Sequence, residues 1–265
     1  MTRYQAVRED LKFFLDQHYA HKNNPLELTE DKPDPLLVLK NYQNHEFFEE
    51  IALICALFSY GNAKQILLLL KRLDFSLLTS CVGAIEKADF PFYRFQTSND
   101  IRVFFIAIHK LIQTTRIREL IFKGYRRHQN VIEGIHLAMG HLYEILEPIA
   151  KTRGLDFLIG TIKPNPKGSS PLKRWNMYLR WLSRKDALDF GVWEGVIDTS
   201  KLILPLDTHT FHTCHKLKLL QRKTYDLYAA ILATQALKKF DPIDPIKYDF
   251  ALYRLGQEKT LQTAI

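Results

Sequence analysis

The sequence predicts an all-α protein. Apolar residues recur every three or four positions in one segment after another, no run alternates with period two for more than a few residues, and the breaks carry Pro, Gly, Asn and Asp. The chain has 265 residues, 46% hydrophobic and 25% charged, the balance of a globular protein able to bury a core as one large domain or two smaller ones.

Residues 3–20 place Val7, Leu11, Phe14, Leu15 and Tyr19 on one helical face and stop before Asn23-Asn24-Pro25. An irregular connection runs to Pro35, where Asp34 is set to cap, and Pro35 to open, a short helix through Leu36, Leu37 and Leu39. Residues 47–58, FFEEIALICALF, are apolar nearly all round and predict a buried helix. Ser59-Tyr60-Gly61-Asn62 breaks it and leads into a helix over 63–73. Helical spacing continues over 75–87, 99–114, 117–127 and 131–150, with turns at Asp89-Phe90-Pro91, Thr115 and His128-Gln129-Asn130. Phe92-Tyr93-Arg94-Phe95 reads as a loop with buried aromatics. Later helices are expected over 208–219, 223–240 and 245–255, the last started by Asp244-Pro245 and stopped by Gly256.

Charge narrows the partners. Lys and Arg number 37 against 29 Asp and Glu, a net +8 that favours a polyanion, nucleic acid before a membrane surface. Cys55, Cys81 and Cys214 are too few and too scattered for a disulfide framework or a CxxC metal site, and they suit a reducing cytoplasm. The N-terminal segment carries charges throughout, and the apolar runs 51–58 and 66–70 are too short to span a bilayer. A soluble, cytoplasmic protein is expected.

Chemistry concentrates between Gly168 and Cys214. Pro164-Asn165-Pro166-Lys167-Gly168-Ser169-Ser170-Pro171 cannot be regular structure, and it opens a helix near Leu172. Backbone N–H groups at such a start, with the helix dipole, favour an anion, and the same loop reads equally as an ordinary cap. In that helix Leu172, Trp175, Leu179 and Leu182 share one face, with Lys173, Met177, Arg180 and Arg184 on another. A basic face is commonly just solvated. Lys173 can instead serve as a nucleophile toward an aldehyde carbon if its surroundings lower its pKa. Asp207, ahead of Thr-His-Thr-Phe, is a good N-cap, and a carboxylate at that place can also face a cleft. His209 and His212 lack a cysteine at ligand spacing and read as polar helix-face residues, with no metal.

The segment Asp207-Thr208-His209-Thr210-Phe211-His212-Thr213-Cys214 resembles the DTHxFRxC-type segment of the helix-hairpin-helix DNA glycosylases, the superfamily that includes endonuclease III. Lys173-Arg174-Trp175-Asn176 is similar to the lysine-bearing helix after the hairpin of that superfamily. Residues 247–256 resemble its closing helix, and 47–73 the helix pair whose loop reaches into the damaged duplex. The signatures Lys-Arg-x-Asn and Leu-Asp-Thr-His also look like those of a bacterial family distantly related to these enzymes. Three departures stand out. Lys167–Leu172 replaces the Gly-rich hairpin, and Lys173 and Asp207 are 34 positions apart (207 − 173), closer to the archaeal 8-oxoguanine glycosylases than to endonuclease III. No cysteine quartet follows Gly256, which excludes an iron–sulfur cluster.

The resemblance implies a two-lobed helical glycosylase-like fold with a divergent helix-hairpin-helix: a central helical barrel over 47–185 with the hairpin, and a second lobe from 1–46 plus 198–265. It implies a monomeric, nucleoid-associated DNA repair glycosylase with lyase activity and no cofactor. DNA carrying a damaged base, such as an oxidised purine, or an abasic site would bind across a cleft. Lys173 would be the nucleophile and Asp207 the catalytic carboxylate. Lys167, Gly168, Ser169, Ser170, Arg174, Arg180 and Arg184 would contact DNA, and Tyr60, Asn62, Trp175, Asn176 and Phe211 would line the base pocket or fill the gap in the duplex. The rival reading keeps the fold and drops the enzyme, as a DNA-structure-binding protein in which Lys173 touches phosphate and Asp207 only caps.

Overall fold

The computed structural model describes residues 3–258 and is all-α; among the described residues no strand forms, and the only bridges are the isolated pairs Tyr93–Gln96 and Lys185–Phe190. Among those residues, no helix is long and apolar enough to cross a membrane. The chain divides into two compact units, residues 28–164 and residues 1–27 with 165–265. The expected boundaries near 46 and 185 are therefore both displaced. Residues 28–46 belong with the middle of the chain, and the helix carrying Lys173 belongs with the C-terminal segment.

The N-terminal helix α1 (Arg3–Lys22) starts and stops close to expectation; the side chain of Val7 lies outside the described residues. In the 28–164 unit, α2 (Leu36–Leu39) packs on α3 (Phe48–Leu57) and α4 (Ala63–Arg72), the reason residues 28–46 join this unit. Every residue of α3 is buried, including Glu50, whose carboxylate accepts from Nε and Nη2 of Arg116, each at 2.9 Å. Arg116 supplies no side-chain cap to the helix that begins at Ile117, and Glu50 also accepts from the Ile117 N–H there at 3.4 Å. Asn62 caps α4 by accepting from the Lys64 and Gln65 N–H groups.

The helix expected over 75–87 is broken into a 3-10 turn, Phe75–Thr79, and α5 (Val82–Lys87). Helix α6 (Ser98–Thr114) is opened by a capping box between Thr97 and Asp100. Helices α7 (Ile117–His128) and α8 (Val131–Leu146) cross so closely that a Cβ on Gly124 would stand 2.6 Å from the Glu133 carbonyl oxygen, and one on Gly134 2.6 Å from that of Ile121. The span expected as one helix to residue 150 ends at Leu146, and a separate short helix, α9 (Arg153–Ile159), follows a Thr152 cap.

The other unit adds α10 (Lys173–Ser183), α11 (Thr208–Lys216), α12 (Leu227–Leu237) and α13 (Asp249–Glu258) to α1. Trp175, Trp181, Trp193, Tyr178 and Tyr248 are fully buried in it. Beside these rings lies an ion cluster. Arg180 donates from Nε to Asp189 at 3.2 Å and from Nη1 to Asp249, while Arg184 binds Asp189, Asp186 and Asp244. Arg180 and Arg184 are 5% and 3% exposed, so the expectation that they contact DNA phosphates fails: both guanidinium groups are spent on buried carboxylates. Burial pushes Asp189 up to about 6 even with both arginines against it. Arg180→Met should cost about 3–5 kcal/mol in urea unfolding, because it leaves the buried Asp249 without its arginine and Asp189 with Arg184 alone.

Candidate active site

The site is built within the unit that holds α10 to α13. Its first part is the loop ahead of α10, fastened to the start of α12. Asp226 caps α12 and its Oδ2 also accepts from the Gly168 N–H at 2.8 Å; the Leu227 and Tyr228 N–H groups donate to the Ser169 and Pro166 carbonyls at 3.1 and 3.2 Å. Arg222, donating from Nε at 2.8 Å, holds the Asp226 carboxyl down to about 2. The Gly168 N–H, expected to meet a phosphate, is therefore already engaged, and Ser169 is buried. Lys167 and Ser170 remain exposed, with the Lys167 ammonium 5.1 Å from the Tyr228 ring.

Leu172 turns the loop into α10 with φ at +52°, a left-handed conformation that a leucine adopts at a cost. That turn sends Leu172 into the core and sets Lys173 and Arg174 half-buried on the first turn of α10. One turn on, Asn176 is buried and donates from Nδ2 to the Pro171 carbonyl at 3.1 Å, so it braces the loop. Trp175 packs edge-on to Tyr178 in the core. Neither residue is placed to touch a base.

The second part is the N-terminus of α11. The run Leu204-Pro205-Leu206 is buried, turned at Pro205 by a 2.7 Å bond from the Leu206 N–H to the Leu204 carbonyl, and it delivers Asp207 half-buried at the cap, its Oδ1 accepting from the Thr210 N–H at 2.7 Å. Phe211, expected near the base, is buried against His215 and Tyr225 at ring separations of 4.6 and 5.4 Å. Tyr225 donates to the Leu206 carbonyl at 2.9 Å, and burial, then Asp207, pushes its phenol up.

The third part was not singled out in the sequence. Asp249 opens α13, fully buried, and its carboxyl lies within electrostatic reach of both Lys173 and Asp207. Burial raises it, Arg180 and Lys173 oppose that rise, and Asp207 adds to it. Cys214 feels the same two carboxylates; burial, Asp249 and Asp207 push its thiol up to about 12, so it is no thiolate nucleophile. Helix α13 runs through Gly256 rather than stopping there. A Cβ at Gly256 would stand 2.8 Å from Thr213 Oγ1 and 2.9 Å from His209 Cβ, so the glycine lets α13 lie on α11 and brings Asp249 to the site. Among the described residues no group of three or more His, Cys, Asp and Glu side chains could hold a metal ion. The site thus offers one lysine and one half-buried carboxylate, with a second, buried carboxylate, Asp249, ion-paired to Arg180 within electrostatic reach of both.

A family model described as "Protein of unknown function (DUF2400)" matches residues 34–258, most of the chain. The chain belongs to the DUF2400 family. The DUF2400 match takes in Lys173, Asp207, Asp226 and Asp249 together with the elements that position them. No curated protein and no solved structure matches the chain.

Tyr60 and Asn62, also expected at a base pocket, belong to the 28–164 unit. The Asn62 side chain is the α4 cap, and the Tyr60 hydroxyl donates to Gln96.

Proposed function

We propose that the chain is a DNA repair glycosylase with lyase activity, acting on a damaged base that has been flipped out of the duplex. The observation that carries this reading is the approach of Lys173 and Asp207, each at a helix start, to the same buried carboxylate, Asp249. Lys173 Nζ, having given up a proton, attacks the sugar C1′. The bonding pair of the glycosidic bond leaves with the base, which takes up a proton. The C1′–O4′ bond then breaks, its pair going to O4′, which takes up the proton that the attached nitrogen sheds, while the nitrogen lone pair completes the C1′=N Schiff base. Loss of a C2′ proton then expels the 3′ phosphate with the C3′–O bonding pair and nicks the strand. Asp207 stabilises the positive charge that develops on the sugar or takes the proton from Lys173. Lys167 and Arg174 supply phosphate contacts, and nucleoid association follows from such contacts.

Oxidised purines are the first lesions to test. A cleavage screen over duplexes that each carry a single lesion or an abasic site decides the reading, and a uniformly blank screen sinks it. The binding-protein reading then takes over, favoured by the Asp207–Thr210 bond, which already gives that carboxylate a structural task.

Both readings require salt-dependent DNA binding. Log affinity should fall linearly with log salt, and Lys167→Ala should lower the slope by about one phosphate equivalent in fluorescence anisotropy. If wild type binds no duplex at low salt, neither reading holds.

A further inference from the structure

Of the aromatic stretch expected to be buried, Tyr93 is buried and the two phenylalanines are exposed. Phe92 and Phe95 are 66% and 55% accessible, and Phe157 on α9 is 40% accessible. Tyr93 and Gln96 exchange N–H···O bonds of 3.0 and 2.9 Å, closing a two-residue turn with Arg94 and Phe95 at its tip. Arg94 holds φ at +52° there, a strained backbone for an arginine that keeps both tip side chains outward.

The surroundings are fixed beneath the rings. Tyr60 donates to Gln96 Oε1, its carbonyl accepts from the Tyr93 hydroxyl at 2.7 Å, and Gln96 Nε2 donates to the Gly154 carbonyl at 2.8 Å. The turn before α4, the 93–96 hairpin and α9 are thus tied together by hydrogen bonds. Above them Phe95 meets Phe157 at 4.6 Å between ring centroids and stacks on Tyr60 at 6.2 Å and 15°. Tyr60 is the floor of this cluster, and the two phenylalanines are its outer faces.

Charge selects the occupant. The Arg94 guanidinium lies 5.9 Å from the Tyr60 ring and 5.5 Å from the Phe95 ring. Lys64, Lys151, Arg153 and Lys163 are also exposed on the segments that carry the rings, against two exposed carboxylates, Asp89 and Asp156. Aromatic faces with an arginine against them and further cations on the same segments suit a strand whose bases stack while its phosphates are neutralised. A blunt duplex keeps its base faces covered except at its ends.

We propose that Phe95 and Phe157, with Arg94, form a stacking platform for unpaired bases of single-stranded nucleic acid, built from none of the residues that would do the cleavage chemistry. It rests on the DNA-binding half of the reading above and not on Lys173 or Asp207. The test is anisotropy with lesion-free oligodeoxythymidine and with a blunt duplex of equal length, on full-length protein at one salt concentration. The double variant Phe95→Ala/Phe157→Ala should weaken single-strand binding by about tenfold or more and change duplex binding by less than about twofold. Phe95→Trp should retain single-strand binding, and duplex binding within about twofold of wild type shows that the double variant, which loses its ring contacts with Tyr60, remains folded.

Unchanged single-strand binding by the double variant, with duplex binding intact, overturns the platform alone. Failure of wild type to bind either DNA overturns it together with the DNA reading. A wild-type dimer in sedimentation that the double variant dissociates marks the rings as an interface between copies, and that also overturns it.

Discussion

Asp207→Asn is expected to melt with wild type and to lose turnover by about 10⁴-fold, the scale at which a catalytic carboxylate counts. An asparagine oxygen accepts from the Thr210 N–H as the aspartate does, at 2.7 Å here, and Asn ranks with Asp at helix N-caps. What is lost is the charge. Its favourable interaction with the helix dipole, about 0.3–1 kcal/mol, is offset in part because Asp207 also repels the buried Asp249 carboxyl. Asp207→Ala removes cap and charge together and should cost a further 0.5–2 kcal/mol, roughly the value of an N-cap. Thermal melting beside a cleavage assay on the substrate found in the lesion screen separates the two roles. An active Asp207→Asn protein would leave Asp207 as a cap only.

How far the sequence reveals this site depends on whether a feature is local. The N-cap role of Asp207 and the burial of α3 are written in adjacent residues and were legible, whereas Asn62, expected at a base pocket, is a cap of the same local kind that the sequence reading passed over. The fate of Arg180 and Arg184 was not. Their carboxylate partners Asp189, Asp249 and Asp244 lie 9, 69 and 60 positions away from the arginines that bind them, so a helix taken alone shows a basic face where the fold has a neutralised core. The same distance hides Asp249. A carboxylate amid Tyr248, Phe250 and Leu252 was the available signal, since a charge on an apolar helix face needs a buried partner. Gly256 misled because a glycine near a helix end reads as a stop, whereas here it admits the neighbouring helix α11. The exposure of Phe95 depends on a hairpin two residues long, too short to leave an alternating pattern.

Lys173→Gln is expected to abolish borohydride trapping on abasic DNA while leaving DNA binding nearly intact. A nucleophilic lysine joined to an opened sugar forms an imine that borohydride reduces to a stable protein–DNA adduct, and glutamine has no amine to form one. A lysine that only touches phosphate leaves no such trace, so the trap distinguishes the enzyme from the binding protein. Binding should weaken by about one phosphate contact at most, because Lys167 and Arg174 remain. Lys167 and Lys185 control for adventitious capture by any amine near an aldehyde. Both are exposed, and Lys185 is 3.5 Å from Glu194 in a surface ion pair. Their glutamine variants should trap as wild type does. Lys173 also stabilises the ionised form of Asp249, so the variant's melting temperature must be compared with wild type before a lost adduct is assigned to chemistry. If Lys173→Gln traps as well as wild type, or wild type never traps on abasic or oxidised-purine duplexes, the lyase mechanism is wrong.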